Sequence, residues 1–473
     1  MTAWLRSLSP ADPSDELGRF PLADSTAVDA AVARARAAQA GWRDEGFEAR
    51  SAVLRRFAKL ASAATDELSA LLAREVGKAL WEARGEAALL AAKVDVTLDQ
   101  GMHFVAPIEA SPGARATFGP RGVLAVLGPF NFPAHLPNGH IVPALATGNA
   151  VVFKPSELTP ATGQWMVELW RRAGLPEGVL QIVHGARDVG RALALHEEVD
   201  GVLFTGSYAA GRALREATLD QPGKLLALEM GGNNAVAVLA DADLDLAVAE
   251  SALSIAATTG QRCSCAGRLF VERGVLEEFA DRLTRVLRGL RVGHPLEDGV
   301  FMGPLVSQAA YDNLARYRAL ATEAGGERVL EAEPGLPPPY VGAGLVRFAE
   351  AMQTHPYQRD EIFGPEASLY PVDDLDEAIA AINDSDYGLA ASIFTRERSR
   401  FEHCVGRVRT GILNWNKATV GASGKLPFGG EGRSGNHRPA GVLSTVYCTT
   451  AQSHMENTGG FDPKSLPPGM PTP

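Results

Sequence analysis

Cysteine is scarce in this chain. Its four cysteines (Cys263, Cys265, Cys404 and Cys448) among 473 residues cannot build a disulfide framework, and none falls in a CxxC pair. The ten histidines form no HxxxH pair or comparable ligand cluster, so no metal is expected. No run of Lys and Arg appears, and the formal net charge of -11 argues against a nucleic-acid surface. No apolar stretch approaches the roughly 18 residues that would suggest a membrane span. The opening Met1-Thr2-Ala3-Trp4-Leu5-Arg6 lacks the charged, apolar and small-residue regions of a signal peptide. A cytoplasmic protein with reduced thiols is the expectation.

The chain is too long for one core and is expected to divide into two or three domains. From about Ser25 to His103 it reads as successive helices, the first capped by Ser25 or Thr26. Beyond Gly122, short apolar runs alternate with periodic segments. Residues 123–127, 150–154, 178–183 and 201–205 read as strands, with helices over 160–173 and 189–195 between them. That alternation predicts a parallel sheet covered on both faces. A second series begins near Asn233, with strands over 235–239 and 268–272 flanking a helix capped by Asp241 or Asp243. The domain boundary is placed near Gly231-Gly232. Residues 103–120 and 440–455 look β-rich, able to pair with each other or with another subunit. A Pro-rich end, 463–473, is expected to be a flexible tail. No internal repeat is found.

The candidate chemistry begins at Gly260-Gln261-Arg262-Cys263-Ser264-Cys265. The preceding helix should end at Gly260 and leave Cys263 on a turn, where a polar, cationic neighbourhood would raise the thiolate share. Taken alone, a cysteine is more often inert core filling, and Cys265 is read that way. Glu229, between a buried apolar run and two glycines, is either a base able to activate water or a capping or interdomain hydrogen-bond partner. Asn131, in Pro129-Phe130-Asn131-Phe132-Pro133, is either an oxyanion donor or a turn-forming residue beside proline, and alone it favours the turn.

Lys154 and Glu157 follow a strand end, where ligands gather in open α/β sheets. They can grip the hydroxyls of an adenosine ribose, and a free carboxylate there would repel a 2′-phosphate, favouring NAD over NADP. The plainer alternative is a solvated surface pair. Thr205-Gly206-Ser207-Tyr208-Ala209-Ala210-Gly211 joins a strand to a helix and can aim N–H groups at a phosphate, although GxxxxG alone is a weak signal.

In this order, these segments closely resemble the aldehyde dehydrogenase superfamily. The likeness runs from about residue 20 to 455 and includes Glu361-Ile362-Phe363-Gly364-Pro365 and Pro427-Phe428-Gly429-Gly430-Glu431-Gly432-Arg433-Ser434-Gly435. The stretches 131–140, 228–234, 414–417 and 434–439 resemble more narrowly a branch that oxidises N-succinylated glutamate semialdehyde in bacterial arginine breakdown. The resemblance implies an α/β fold: a Rossmann-like NAD-binding domain (1–102 and 121–231), an α/β catalytic domain (232–439) and a small β oligomerisation flap (103–120 and 440–458). The tail is 459–473. It implies NAD as cofactor and a homodimer or homotetramer. It assigns Cys263 as nucleophile, Glu229 as deacylation base and Asn131 as oxyanion donor. The cofactor residues it implies are Leu127, Gly128, Phe130, Lys154, Ser156, Glu157 and 205–211 (Thr205, Gly206, Ser207, Tyr208, Ala209, Ala210, Gly211), with Glu361 and Phe363 at the nicotinamide end.

The N-terminus is shorter than the family usually shows, so the opening strands are expected to be missing or degraded. The substrate carries two carboxylates. Asn131 and the loop Gly421, Ala422, Ser423 are expected to face it, with Arg121, His135, His437 or Arg438 as candidates for the second carboxylate. Two rivals remain: an enzyme passing the acyl group to CoA, and a non-catalytic NAD-binding protein. Glu229 speaks against the first, which would keep the thiol, and the presence of Cys263, Glu229 and Asn131 together speaks against the second.

Overall fold

The computed structural model describes residues 3–351, 354–457 and 459–473. Five apolar runs form a five-stranded parallel sheet in the order Leu180–Ile182, Ala150–Lys154, Val123–Leu127, Gly201–Gly206, Leu225–Met230. These strands can be apolar on both faces because helices cover both. Chain order reverses beside the central strand, so the carboxyl ends of Val123–Leu127 and Gly201–Gly206 open a crevice between them. Such a switch point is where open α/β sheets receive ligands.

After Met230 the chain crosses three residues and enters a second sheet at Asn234–Val238. Its seven strands run in the order Glu327–Glu331, Gly344–Arg347, Glu366–Val372, Ala266–Glu272, Asn234–Val238, Ala390–Phe394, Ile412–Trp415. Only the Glu327–Glu331 edge is antiparallel. Asp243 caps the helix Leu244–Ala256, its side chain accepting from the Leu246 N–H. Four helices, Ser25–Asp44, Gly46–Ala63, Thr65–Val76 and Leu80–Asp99, fill the N-terminal region. The first is capped by Asp24, which accepts from Ala27 N–H at 2.8 Å, and not by Ser25 or Thr26.

Two further expectations change. The opening strands are present: Trp4–Leu8 pairs antiparallel with Glu16–Pro21. Their sequence lacks the long apolar alternation that betrays a strand, because little of this ribbon is buried. The β-rich stretches at 103–120 and 440–455 do pair with each other, in exact register from Thr449↔Pro120 to Met455↔Ala114, with Ile108–Ser111 as third strand. However, 101–105 is a 3₁₀ turn and 440–448 holds a two-residue strand and a short helix, so the flap strand begins only at Thr449. Thr458, at the end of the expected flap, lies outside the described residues, as do Met1 and Thr2. Residues 459–473 are largely exposed and contain one 3₁₀ turn. No described helix is long and apolar enough to cross a membrane.

The N-terminal ribbon is tied down by Glu75, which is 1% exposed. Its carboxylate accepts from Ser7 Oγ, from the Ala161 and Thr162 N–H groups at 2.8 Å each, and from Thr162 Oγ1 at 2.6 Å. It thereby closes the positive end of the helix Pro160–Arg172. Glu75→Ala would strand two buried N–H groups and is expected to cost about 3 kcal/mol. A thermal midpoint unchanged from wild type would contradict this role.

Candidate active site

The turn that carries Cys263 is built under strain. Helix Leu244–Ala256 runs into a 3₁₀ turn, Ala257–Gly260, in which Thr258 and Thr259 adopt φ of 52° and 54°. β-branched residues rarely adopt this region, at a cost on the order of 1–3 kcal/mol each. Buried Glu82 compensates. It accepts from the Thr258 N–H and hydroxyl and pairs with Arg262. Thr259 Oγ1 donates to the Gly303 carbonyl at 2.9 Å. Gly260, at φ 71°, admits no side chain, since a Cβ would lie 2.0 Å from the Gly364 carbonyl carbon.

Side-chain amides fix the rest of the turn. Asn131 Nδ2 donates to the Gln261 carbonyl at 2.9 Å, and the Gln261 side chain bridges to the Thr258 carbonyl and the Val306 N–H. Asn234 Nδ2 donates to the carbonyls of Cys263 and Cys265 at 2.7 Å each. One N–H of Asn131 is thus engaged, and the amide has a second to offer. Cys265 turns away and donates to the Ala257 carbonyl.

Glu229 closes the first sheet, paired across from Thr205 and bridged to Gly435. The segment 434–436 clamps this strand, with Asn436 accepting from the Leu228 N–H at 2.8 Å and donating to the Leu226 carbonyl at 3.0 Å. Among the described residues neither Glu229 carboxylate oxygen has a hydrogen-bond partner of ordinary geometry, and the Cys263 thiol faces it. Burial drives the Glu229 carboxyl up to about 8. Glu361, whose carboxylate accepts from the Gly232 N–H at 3.0 Å, is likewise driven to about 8 by burial. The Cys263 thiol rises well above its ordinary value, first through burial and then through the two carboxylates.

The cationic setting expected for the thiol is therefore absent. Arg262, the adjacent cation, is taken by Glu82, and acidic groups face the sulfur. At neutral pH the site rests largely protonated.

Cys263 and Glu229 line one cavity of about 150 Å³ together with Phe132, His135 and the loop Gly421, Ala422, Ser423. Of the four side chains considered for a second carboxylate, His135 lines it, held neutral by burial that lowers its pKa to about 4. Arg121 instead donates to the Tyr447 carbonyl, and Arg438 to the carbonyls of Gly429 and Gly430. His437 does not line it, and lies in a left-handed turn with Arg438.

The expected cofactor residues gather at the crevice between strands. Leu127 ends the central strand and Gly128 follows it, while Lys154 ends its neighbour and Ser156 and Glu157 follow. Lys154 is no solvated surface residue: buried, it donates to the carbonyls of Pro155 and Gly185 at 2.8 Å and sits 3.6 Å from exposed Glu157. Ser207 caps the helix Tyr208–Ala217 through the Ala210 N–H. The first-turn N–H groups of Tyr208 and Ala209 are the orphans a phosphate can accept from. Thr205 and Gly206 close the strand beside it, and Ala210 is exposed on that first turn. Gly211 is buried instead, a Cβ there falling 2.4 Å from Met230 Sδ, so it lets helix and sheet approach closely. Across the crevice, Phe363 meets Phe130 edge to face at 5.8 Å. These residues suit a dinucleotide: orphan N–H groups for its phosphates, a buried lysine and a carboxylate beyond, and an aromatic pair near the thiol end.

The residues missed from sequence are those that hold the turn. Glu82, Glu86 and Lys93 recur at helical spacing on the buried face of Leu80–Asp99, a pattern that otherwise reads as a solvated stripe. Lys78 is fully buried against Glu86 and donates to the Asn131 carbonyl at 2.7 Å. No local signal marks Gln261 and Asn234 as anchors, since their partners come from distant segments.

A thiol and a carboxyl thus face each other near the crevice at the carboxyl ends of the strands, and the model of the aldehyde dehydrogenase family matches residues 2–453. The chain belongs to this family. It is 40% identical to an N-succinylglutamate 5-semialdehyde dehydrogenase of Burkholderia ambifaria, over 99% of this chain and 98% of the relative. It is 42% identical to one of Burkholderia mallei, over 94% and 92%. Among solved structures it resembles an NAD-dependent aldehyde dehydrogenase from Sinorhizobium meliloti (TM-score 0.92, 29% identity, 98% of this chain and 93% of that chain). It also resembles a 1-pyrroline-5-carboxylate dehydrogenase from Thermus with bound NAD (TM-score 0.91, 29% identity, 96% and 90%).

The raised Glu229 pKa has a measurable consequence. In the unfolded chain this carboxyl ionises near its ordinary value of 4.5, while in the folded protein it holds its proton to about 8. Folding then loses stability as pH rises across that window. Glu229→Gln is expected to stabilise the protein by a gain that grows from pH 4.5 to about 8 and then levels, reaching a few kcal/mol. Thermal midpoints of both proteins across this range test it; a constant difference would mean an ordinary carboxyl.

Proposed function

We propose that this chain oxidises N-succinyl-L-glutamate 5-semialdehyde to N-succinyl-L-glutamate with NAD, through a thioester on Cys263. The observation that carries the reading is the Cys263 thiol facing an unpartnered Glu229 carboxyl inside a cavity bounded by the 421–424 loop. The name shared by the relatives supplies the substrate.

Glu229, ionised, takes the thiol proton, and the Cys263 sulfur attacks the aldehyde carbon. The free N–H of Asn131 and the Cys263 N–H hold the resulting oxyanion. When bound, NAD would supply the hydride acceptor that lets the acyl group remain on the Cys263 sulfur as a thioester. Glu229, once it has released the thiol proton to solvent, removes a proton from water, whose oxygen attacks the thioester carbon, displaces the thiolate and releases the acid. The resting carboxyl must therefore lose its proton before it acts, which suits an enzyme most active on the alkaline side of neutrality. Leu127, Gly128, Phe130, Lys154, Ser156, Glu157 and residues 205–210 would hold the dinucleotide, with Glu361 and Phe363 at its nicotinamide end. The backbone N–H groups of Gly421 and Ala422, with the Ser423 hydroxyl, would receive a substrate carboxylate.

We assign oligomerisation to the flap, whose outer strands Ile108–Ser111 and Thr449–Met455 present free edges and the exposed side chains Ile108 and Met455. A homodimer or homotetramer in the cytoplasm is the assembly proposed. A CoA-acylating enzyme would have no use for Glu229.

Cys263→Ala is expected to abolish NADH formation. Glu229→Gln should keep a stoichiometric burst while steady turnover falls on the order of 10²- to 10⁴-fold; undiminished steady turnover would remove Glu229 from the mechanism. Against a panel of semialdehydes, kcat/KM should be highest for the succinylated one. A preference for a plain aliphatic aldehyde would reject this substrate.

A further inference from the structure

Lys93 is a buried ammonium without a counter-ion among the described residues. It lies on the inward face of the helix Leu80–Asp99, 6% exposed, and lines the cavity that holds Cys263. Its Nζ donates to the Gly441 carbonyl at 2.8 Å and to Ser444 Oγ at 2.6 Å. Both acceptors are neutral, and an ammonium has a third N–H to give. Among the described residues it makes no ion pair. The thiol beside it, Cys448, is held protonated by burial and supplies no charge.

The other basic groups of the cavity are already satisfied or uncharged. Arg262 is paired with Glu82. His135 and His140 are kept neutral by burial, which lowers their pKa values to about 4 and about 3. An unpaired buried cation is costly, and an arriving anion offsets that cost. The chain as a whole carries a formal charge of -11 and repels a dianion, so an anionic substrate needs a local cation.

We propose that Lys93 is the counter-ion for a substrate carboxylate, so that the cavity selects aldehydes bearing an acid group remote from the reacting carbon. The 421–424 loop serves the other carboxylate. This inference rests on the succinylated-semialdehyde reading above. Burial lowers the Lys93 pKa only to about 8, leaving it largely charged at neutral pH. Lys93 is a specificity residue: it touches substrate but exchanges no proton with it.

The test compares full-length wild type, Lys93→Gln, Lys93→Arg and Ser444→Ala. The readouts are kcat/KM with NAD for N-succinylglutamate 5-semialdehyde and for hexanal, and calorimetric binding of N-succinylglutamate. Lys93→Gln is expected to lower the succinylated-to-hexanal ratio on the order of a hundredfold, through KM, and to weaken product binding comparably. Lys93→Arg keeps the charge and should retain most of the preference; its loss there would overturn the proposal even if the glutamine variant fails to fold. Ser444→Ala removes only a tether and should leave the ratio within about threefold of wild type. A ratio preserved in Lys93→Gln, or lost equally in Ser444→Ala, overturns the proposal. If wild type shows no preference for the succinylated aldehyde, the substrate reading fails, and product binding still decides whether Lys93 holds a carboxylate.

Discussion

The Glu82 carboxylate is the contact on which the rest of the site depends. It reaches from a helix in the N-terminal region to a turn in the second α/β unit and there accepts from Thr258 and Arg262. Without it, two threonines would relax from left-handed conformations that cost on the order of 1–3 kcal/mol each. Relaxation would rotate the following residues and carry the Cys263 sulfur away from Glu229. The same contact occupies the adjacent Arg262 guanidinium, whose free charge would favour the thiolate. Holding the thiol in place and keeping it protonated are therefore two effects of one carboxylate.

A protonated resting site follows from burying three acidic groups together. Burial raises Cys263, Glu229 and Glu361 alike, the charge of Glu361 raises Glu229 further, and both carboxylates raise the Cys263 thiol. Such a cluster titrates as a unit. An oriented but unreactive thiol is protected from stray oxidation, which attacks the thiolate. Reactivity then depends on losing a proton from the pair.

The cavity shows the same economy of charge at its other side. Neutral histidines, apolar rings and a loop of small residues make most of its wall, and Lys93 is its one described cation without a carboxylate partner. Charge is placed where an acidic ligand can neutralise it. The three-stranded sheet of Ile108–Ser111, Ala114–Pro120 and Thr449–Met455 is by contrast largely exposed, Ile108 and Met455 included.

Much of this was legible in the residue order. Apolar runs of strand length separated by helical periodicity specify a parallel sheet wherever both faces are covered, and Gly-Gln-x-Cys with a distant Glu-x-Gly-Gly marks a family without reference to coordinates. The helix caps, the opening ribbon and the exact limits of the flap were less legible, because competing Asp, Ser and Thr residues cap equally well in isolation and an exposed ribbon carries no apolar alternation. Protonation of the thiol was not legible at all. Arg262 stands next to Cys263 in sequence, yet its charge is spent on Glu82, 180 positions away. Sequence alone determined which reactive groups this chain possesses and which local elements carry them. Only the tertiary structure decided their charge, since burial and ionic partners are set by segments that meet through folding.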